Sequence, residues 1–192
     1  VDPRAPPGVR TMFLHPDHFP FHQLLEAHWR EIRDEAQALN VDDFVGWDQY
    51  TGFTGTWSVV PLFTAIQDDP CKAVTDLIPY FQERCPRTWG LLQQIPGLMD
   101  AVFSRLGPHT HIVAHQDDER FENAWRGHLG LVTPAGARFR VLDEVQTWEE
   151  GKCFFFNGRQ DHEAINESDS ERIVLLFDVY RDAYPIEARA AG

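Results

Sequence analysis

The second half of the chain is built from short strand-like runs that recur at intervals of about ten residues. Each run is rich in β-branched and aromatic residues, and turn residues separate it from the next. After Pro96-Gly97 the runs are AVFSRL, HTHIVAH, WRGHLGLV, ARFRVL, KCFFFN, HEAIN and RIVLLFDVY. This rhythm predicts an antiparallel sandwich or barrel, and among these a double-stranded β-helix, which is a jelly-roll, cupin-like core.

The first half of the chain mixes helical and strand-like segments. FHQLLEAHWREIRDEAQAL, which begins at Phe21, spaces its apolar residues as one amphipathic helix of about five turns would. WSVVPLFTAI, from Trp57 to Ile66, indicates a strand, and two short helices separated by Pro86 follow it. We therefore predict a mainly β fold with flanking helices (α+β), in which residues 21–95 give mostly helical support to a jelly-roll core of residues 96–182.

The N-terminal segment has a different composition from the rest. Residues 1–20 contain five prolines and little apolar periodicity, which favours an extended arm that lies on the surface or is disordered. No repeat, low-complexity stretch or linker divides the remainder. A length of 192 residues then predicts a single domain over residues 1–192.

Charge and hydropathy exclude some classes of partner. The formal net charge of −13 would repel a phosphate backbone, so nucleic acid is not expected as a partner. No apolar run reaches the roughly 18 residues of a membrane span, and no signal-peptide core begins the sequence, so we expect a cytoplasmic protein. Cys71, Cys85 and Cys153 show no metal-binding spacing, and a disulfide between Cys71 and Cys85 is left open.

A candidate metal site falls where one predicted strand ends. Residues two apart in a strand share a face, so His115 and Asp117 would project side by side. His162 follows 47 residues later, where another strand could return beside the first. Two histidines and one carboxylate form the ligand set of non-haem Fe(II) oxygenases. Asp118 is the nearest alternative to Asp117 as the third ligand.

An iron of this type needs a reductant, which in this architecture is usually 2-oxoglutarate. Arg172 lies ten residues after His162, at the start of RIVLLFDVY, where it shares a strand face with Val174 and Leu176. A guanidinium in an apolar wall needs an anionic partner, and the distal carboxylate of 2-oxoglutarate would provide one. The sequence therefore predicts Fe(II) and 2-oxoglutarate as cofactors, with no catalytic group required beyond the iron centre.

Each of these residues is common by itself, and only their combination carries the prediction. A lone His-x-Asp can be a charged turn, and a lone histidine or arginine is more often a hydrogen-bonded or ion-paired side chain. The alternative from another class is a jelly-roll binding module whose metal is structural or absent. Such a module would form no succinate, and it would have no use for Arg172 in the barrel wall.

The sequence also resembles the aspartyl/asparaginyl β-hydroxylases, a family of Fe(II)- and 2-oxoglutarate-dependent oxygenases. The matching stretches span roughly residues 20 to 182. They are FHQLLEAHWREIRDEAQAL, FSRLGPHTHIVAH, RGHLGLVTP, TWEEGKCFFFNGRQDHEAIN and ERIVLLFDVY. The resemblance implies a hydroxylase of an unactivated C–H bond, most simply in an aspartyl, asparaginyl or related carboxylate-bearing substrate. A free amino acid, a natural-product intermediate or a lipid acyl chain is the alternative.

The resemblance implies a role for each matching residue. His115, Asp117 and His162 match iron ligands, Arg172 and Ser104 match the groups that hold the distal carboxylate of 2-oxoglutarate, and His128 matches a residue near its other end. Arg126 matches a residue that binds the substrate carboxylate, which implies an anionic small-molecule or peptidyl substrate. Animal members of the family commonly have glycine at the position of Asp117. They tend to have a further arginine at the position of Ala124.

Overall fold

The computed structural model describes residues 12–46, 52–66 and 72–186 of the chain. Two β-sheets and five α-helices account for most of these residues. The strands are β1 (Phe13–Leu14), β2 (Val45–Gly46), β3 (Phe53–Thr54), β4 (Trp57–Thr64), β5 (Leu98–Leu106), β6 (Thr110–His115), β7 (Ala124–Val132), β8 (Ala137–Val141), β9 (Glu144–Gln146), β10 (Cys153–Phe156), β11 (His162–Asn166) and β12 (Arg172–Tyr180). The helices are α1 (His22–Ala27), α2 (Trp29–Ala38), α3 (Lys72–Thr75), α4 (Ile78–Arg84) and α5 (Pro86–Leu92).

The sheet topology is that of a double-stranded β-helix. One sheet has seven strands in the order β1-β10-β7-β12-β5-β4-β2, and the other has five in the order β3-β6-β11-β8-β9. Every paired strand runs antiparallel to its neighbours. The predicted fold class, a jelly-roll core with flanking helices, is therefore confirmed.

The seven-stranded sheet is buried on both faces. Its inner face packs against the five-stranded sheet, where Phe156 and Val174 meet Phe139. Its outer face carries Phe155 and Phe177 and packs against the helices, whose buried residues include Leu25, Ile32 and Phe81. Alternation along the strands explains this sorting, because neighbouring residues such as Phe155 and Phe156 face opposite sides. The polar residues Ser104, His128 and Arg172 lie on the inner face, between the sheets.

The predicted five-turn helix is two helices. The buried stripe is as expected, with Leu25, Ile32 and Ala36 almost fully enclosed. His28 interrupts the helix with non-helical backbone angles of φ −110° and ψ 13°, so α1 ends at Ala27 and α2 begins at Trp29. No proline or glycine marks the break, which is why the periodicity alone could not show it.

The predicted surface arm is wrong for residues 12–20. Phe13 pairs with Phe156 at the edge of the seven-stranded sheet, and Phe13 and Phe19 are buried. The ring of Phe19 stacks on Phe155 with centroids 4.0 Å apart. The proline-rich composition gave no sign that Phe13 and Phe19 would be buried. Their burial anchors this segment to the core. Residues 1–11 lie outside the described residues.

Two further expectations can be compared with the described residues. Cys85 and Cys153 are buried thiols, and burial raises the pKa of both, that of Cys85 to about 12. Cys71 lies outside the described residues, as does any pairing it makes. In the described ranges, no helix has the length and apolarity that crossing a bilayer requires.

Candidate metal and ligand site

Two neighbouring strands of the five-stranded sheet bring the candidate metal ligands together. His115, the last residue of β6, is the register partner of His162, the first residue of β11. Asp117 lies just beyond the end of β6, where its backbone N–H donates to the carbonyl of Gly158 at 2.9 Å. One ligand atom from each of the three side chains lies within 4.8 Å of the others. Asp117 therefore reaches the site from the loop that follows β6.

Both histidines direct the same ring nitrogen toward Asp117. Nδ1 of His115 donates to the carbonyl of Val113, and Nδ1 of His162 donates to that of Gln160, each at 2.8 Å. The Nε2 atoms then lie 4.0 Å and 3.7 Å from Oδ1 of Asp117. A carbonyl acceptor on Nδ1 fixes the tautomer that leaves Nε2 as a metal ligand. Burial lowers the pKa of His162 to about 4, which keeps the ring in the neutral form that binds metals.

The donor set fits a divalent transition metal. Two imidazole nitrogens and a carboxylate oxygen converge from side chains that are 18%, 4% and 9% exposed. Oδ2 of Asp117 is buried without a hydrogen-bond partner among the described residues. A buried carboxylate between two imidazoles is the arrangement expected for a 2-His-1-carboxylate metal site.

Arg126 connects this cluster to the seven-stranded sheet. Its Nη1 donates to Oδ1 of Asp117 at 2.7 Å, and its Nε and Nη2 each donate to one oxygen of Asp178 at 2.9 Å. Arg126 and Asp178 are register partners on β7 and β12, and Asp178 is fully buried. Burial alone would lower the pKa of Arg126, but the two carboxylates outweigh it and raise that pKa. Arg126 therefore lies beside the metal site, as its predicted role requires, with its guanidinium already bound to two carboxylates.

Arg172 and Ser104 lie together in the inner face of the seven-stranded sheet. Nη1 of Arg172 donates to the carbonyl of Ser104 at 3.3 Å, and its guanidinium lies 4.6 Å from the ring centroid of Trp148. The side chain is 2% exposed, and Nε has no hydrogen-bond partner in the described part of the chain. Burial lowers the pKa of Arg172 to about 9, and the described residues supply no carboxylate partner. A ligand carboxylate would compensate this buried charge.

His128 lies on the same face and is enclosed by aromatic rings. It is 4% exposed, and its Nδ1 accepts a hydrogen bond from Nε1 of Trp148 at 3.2 Å. Its Nε2 is buried and finds no hydrogen-bond partner within residues 12–46, 52–66 and 72–186. Burial, reinforced by Arg172 and Arg126, lowers the pKa of His128 well below its usual value.

All seven predicted site residues line one cavity between the two sheets. The cavity contains about 420 Å³ of empty space, part of which is open to solvent. Its walls are formed by Trp57, Ser104, Ile112, His115, Asp117, Arg126, His128, Phe139, Phe156, His162, Ala164, Arg172 and Leu176. The candidate metal ligands and the buried cation Arg172 therefore face the same space.

Sequence reasoning missed three residues that shape the site. Trp148 contacts both His128 and Arg172, Asp178 holds Arg126, and Gly158 lies against Asp117. Asp178 had a visible signal, because an acid inside the apolar run RIVLLFDVY needs a buried partner. Trp148 had no comparable signal in the sequence beyond its place in TWEEGK. Aromatic residues near strands are most often core residues, so its type alone did not indicate a role in the site.

The facing antiparallel sheets and the His-Asp-His cluster between them define a jelly-roll protein with a candidate metal site. A family model described as aspartyl/asparaginyl beta-hydroxylase matches residues 26–182. The chain belongs to the aspartyl/asparaginyl beta-hydroxylase family, and the family predicted from the sequence is confirmed.

Several relatives show how this chain compares with known proteins. It is 40% identical over 97 residues to the ornithine lipid ester-linked acyl 2-hydroxylase of Rhizobium tropici. The aligned region covers 49% of this chain and 34% of the relative. It is 30% identical over 168 residues to the aspartyl/asparaginyl beta-hydroxylase of Homo sapiens. This aligned region covers 81% of this chain and 20% of the relative. Among solved structures, a prolyl-4-hydroxylase of Pseudomonas putida is similar at 17% identity and a TM-score of 0.46, over 89% of this chain and 90% of that one. The chain spans at most about half the length of these curated relatives.

Proposed function

We propose that the chain is an Fe(II)- and 2-oxoglutarate-dependent hydroxylase. The observation that carries the proposal is the cavity that holds His115, Asp117 and His162 together with the uncompensated cation Arg172. A site for a structural metal alone would not need a buried guanidinium in the same cavity. When bound, iron and 2-oxoglutarate would supply the activation of O₂ for C–H hydroxylation, with 2-oxoglutarate decarboxylated to succinate.

The side chains of the protein would bind, orient and shield these groups. The Nε2 atoms of His115 and His162 and a carboxylate oxygen of Asp117 would hold Fe(II). Arg172, with Ser104 beside it, would bind the distal carboxylate of 2-oxoglutarate, and His128 would donate to an oxygen nearer the metal. The apolar walls, which include Phe139 and Phe156, would exclude water from the cavity.

For the substrate, we propose an aspartyl, asparaginyl or related carboxylate-bearing compound, peptidyl or small. The human relative supports this assignment because its similarity covers 81% of this chain. A lipid acyl chain is the second candidate. Two observations favour it: the Rhizobium relative is 40% identical, and all three guanidinium nitrogens of Arg126 already bind protein carboxylates.

Anaerobic titration tests the cofactor assignment. Fe(II) and 2-oxoglutarate added together to the wild-type protein should produce the weak visible charge-transfer band of the chelate. His162→Ala should lose this band, because one ligand is removed. His111→Ala is the matched control, since His111 lies on the same strand as His115 but bonds Glu163, away from the cavity. No band in the wild type at saturating iron and 2-oxoglutarate would contradict the proposal and favour a binding module.

Product analysis then separates the two substrate candidates. Succinate release above the substrate-free rate, with an added oxygen atom in the product, should occur with aspartyl or asparaginyl peptides. The same signal with an acyl lipid and none with the peptides would move the assignment to the second candidate.

A further inference from the structure

The segment that carries Trp148 is held tightly against β7. The backbone N–H of Gly130 donates to the carbonyl of Lys152 at 3.1 Å, and that of Gly151 donates to the carbonyl of Gly130 at 2.9 Å. A Cβ on Gly130 would overlap the carbonyl oxygen of Glu149, so only glycine permits this close approach. The glycines in HLGLV and WEEGK therefore hold residues 147–152 against the strand that carries His128.

The opposite side of the same segment is held by α1 and α2. Gly151 has a φ of +75°, and a Cβ there would overlap the indole ring of Trp29 at the start of α2. In addition, Glu26 of α1 accepts from the backbone N–H of Cys153 at 2.9 Å. The residues that follow Trp148 are therefore held between β7 on one side and α1 and α2 on the other, and Trp148 itself is buried.

The hydrogen bond between Trp148 and His128 has only one possible direction. The indole N–H is a donor and cannot accept, so Nδ1 of His128 must present its lone pair to it. Because Nδ1 accepts this hydrogen bond, it carries no proton, and the ring proton is then on Nε2; burial lowers the pKa of His128, which favours the same neutral form. This Nε2–H is buried and has no partner among the described residues, although His128 lines the cavity. Within the described residues, the cavity therefore contains a buried donor that no protein acceptor reaches.

We propose that Trp148 is a positioning residue that fixes His128 as an Nε2–H donor for a carboxylate oxygen of the ligand in the cavity. The same indole ring packs on the guanidinium of Arg172, so one side chain orients both groups that face the ligand. The carboxylate-binding role rests on the proposed function, whereas the tautomer of His128 follows from the contacts of Trp148 alone.

Nitrogen NMR of the ring tests the tautomer directly. The full chain, labelled with ¹⁵N in its histidine rings and loaded with diamagnetic Zn(II), would be compared with His128→Gln to assign the signals of His128. Between pH 6 and 8, we expect the wild-type ring to show a protonated Nε2 and a bare Nδ1. A protonated Nδ1 in the wild type would overturn the proposal, and His128→Gln serves only to assign the signals.

Trp148→Phe separates the hydrogen bond from the packing, because the ring remains on Arg172 while the N–H is lost. We expect the His128 ring to lose its single tautomer. The Kd for 2-oxoglutarate, measured by calorimetry on the Zn(II)-loaded protein, should rise about fivefold, as expected for one misoriented hydrogen bond. Trp125→Phe is the matched control. It removes an indole N–H that donates to the carbonyl of Tyr184, and it should change neither measurement.

The two proposals fail in different ways in this experiment. If the Zn(II)-loaded wild type binds no 2-oxoglutarate, the proposed function is contradicted, and the NMR spectrum still decides the role of Trp148. If 2-oxoglutarate binds but Trp148→Phe keeps both the tautomer and the affinity, the proposed function stands and the role of Trp148 is refuted.

Discussion

Gly158 shows how one missing side chain can orient a candidate metal ligand. Its carbonyl accepts from the backbone N–H of Asp117, and its Cα lies against the carboxylate of the same residue. A Cβ at this position would overlap Oδ2 of Asp117. On the other side, Arg126 binds Oδ1, so the carboxylate cannot turn away without breaking that bond.

Gly158→Ala should therefore weaken metal binding. Because changes to the groups that orient a metal ligand commonly cost about ten- to a hundredfold in affinity, we expect the Kd for Mn(II) or Co(II) to rise by about that factor. Metal titration followed by electron paramagnetic resonance or visible absorption would measure the change. The control is Gly90→Ala on α5, where a Cβ meets no atom within 4 Å. An unchanged Kd in Gly158→Ala would mean that the Asp117 carboxylate is free to move or is not a ligand.

Asp178 shows the cost of leaving a buried charge without its partner. Asp178→Ala removes two of the hydrogen bonds of Arg126 and leaves the guanidinium with Asp117 alone. We expect the free energy of unfolding in urea to fall by about 3 kcal/mol. Glu167→Ala also removes the partner of an arginine, Arg138, but this pair is exposed and its loss should have little effect. Equal effects of the two substitutions would contradict the importance of burial.

At the scale of elements, one helix caps another. Both carboxylate oxygens of Glu35, on α2, accept hydrogen bonds at the start of α5. The donors are the backbone N–H groups of Arg87 and Thr88 and the hydroxyl of Thr88, at 2.7 to 2.9 Å. These N–H groups have no partner within their own helix, and the negative charge also suits the positive end of the helix dipole.

Glu35→Ala should destabilise the protein by about 2 kcal/mol, because charge-assisted hydrogen bonds to the helix start are lost. Urea denaturation followed by circular dichroism would measure this loss. Glu83→Ala, on the exposed side of α4, serves as the control and should leave the transition midpoint nearly unchanged. A midpoint in Glu35→Ala that equals that of the control would show that water replaces the cap without loss.

The long strands could be predicted from the sequence, whereas the short ones could not. Runs such as RIVLLFDVY carry their own β-branched and aromatic signal, so β12 was recognisable. Strands such as β1 and β9 have only two or three residues. They are strands because they pair with the edges of β10 and β8, and a run this short has no sequence signal of its own. Strand spacing indicated His115, His162 and Arg172, whereas Ser104, Arg126 and His128 came from the family resemblance. The proposed role of Trp148 depends on contacts between distant segments.

Across the whole molecule, the candidate metal site joins the two sheets. Its histidines belong to the five-stranded sheet, and Asp117 contacts Arg126 of the seven-stranded sheet. A metal that binds only the folded form should therefore stabilise the entire protein through this connection.

Thermal unfolding with and without metal tests this coupling. At a free Mn(II) concentration about 100 times its Kd, we expect about 2.7 kcal/mol of added stability and a higher Tm, which a chelator reverses. His162→Ala should show no metal-dependent shift, whereas His111→Ala should retain it. A metal-independent Tm in the wild type would contradict a metal site in the folded protein.

The edges of both sheets also determine how the protein can meet other chains. The seven-stranded sheet is bounded by β1 and β2, and the five-stranded sheet by β3 and β9, each only two or three residues long. Cross-β association uses contiguous segments of about six residues. In the described part of the chain, each of these four terminal strands is therefore too short to serve as such a segment by itself.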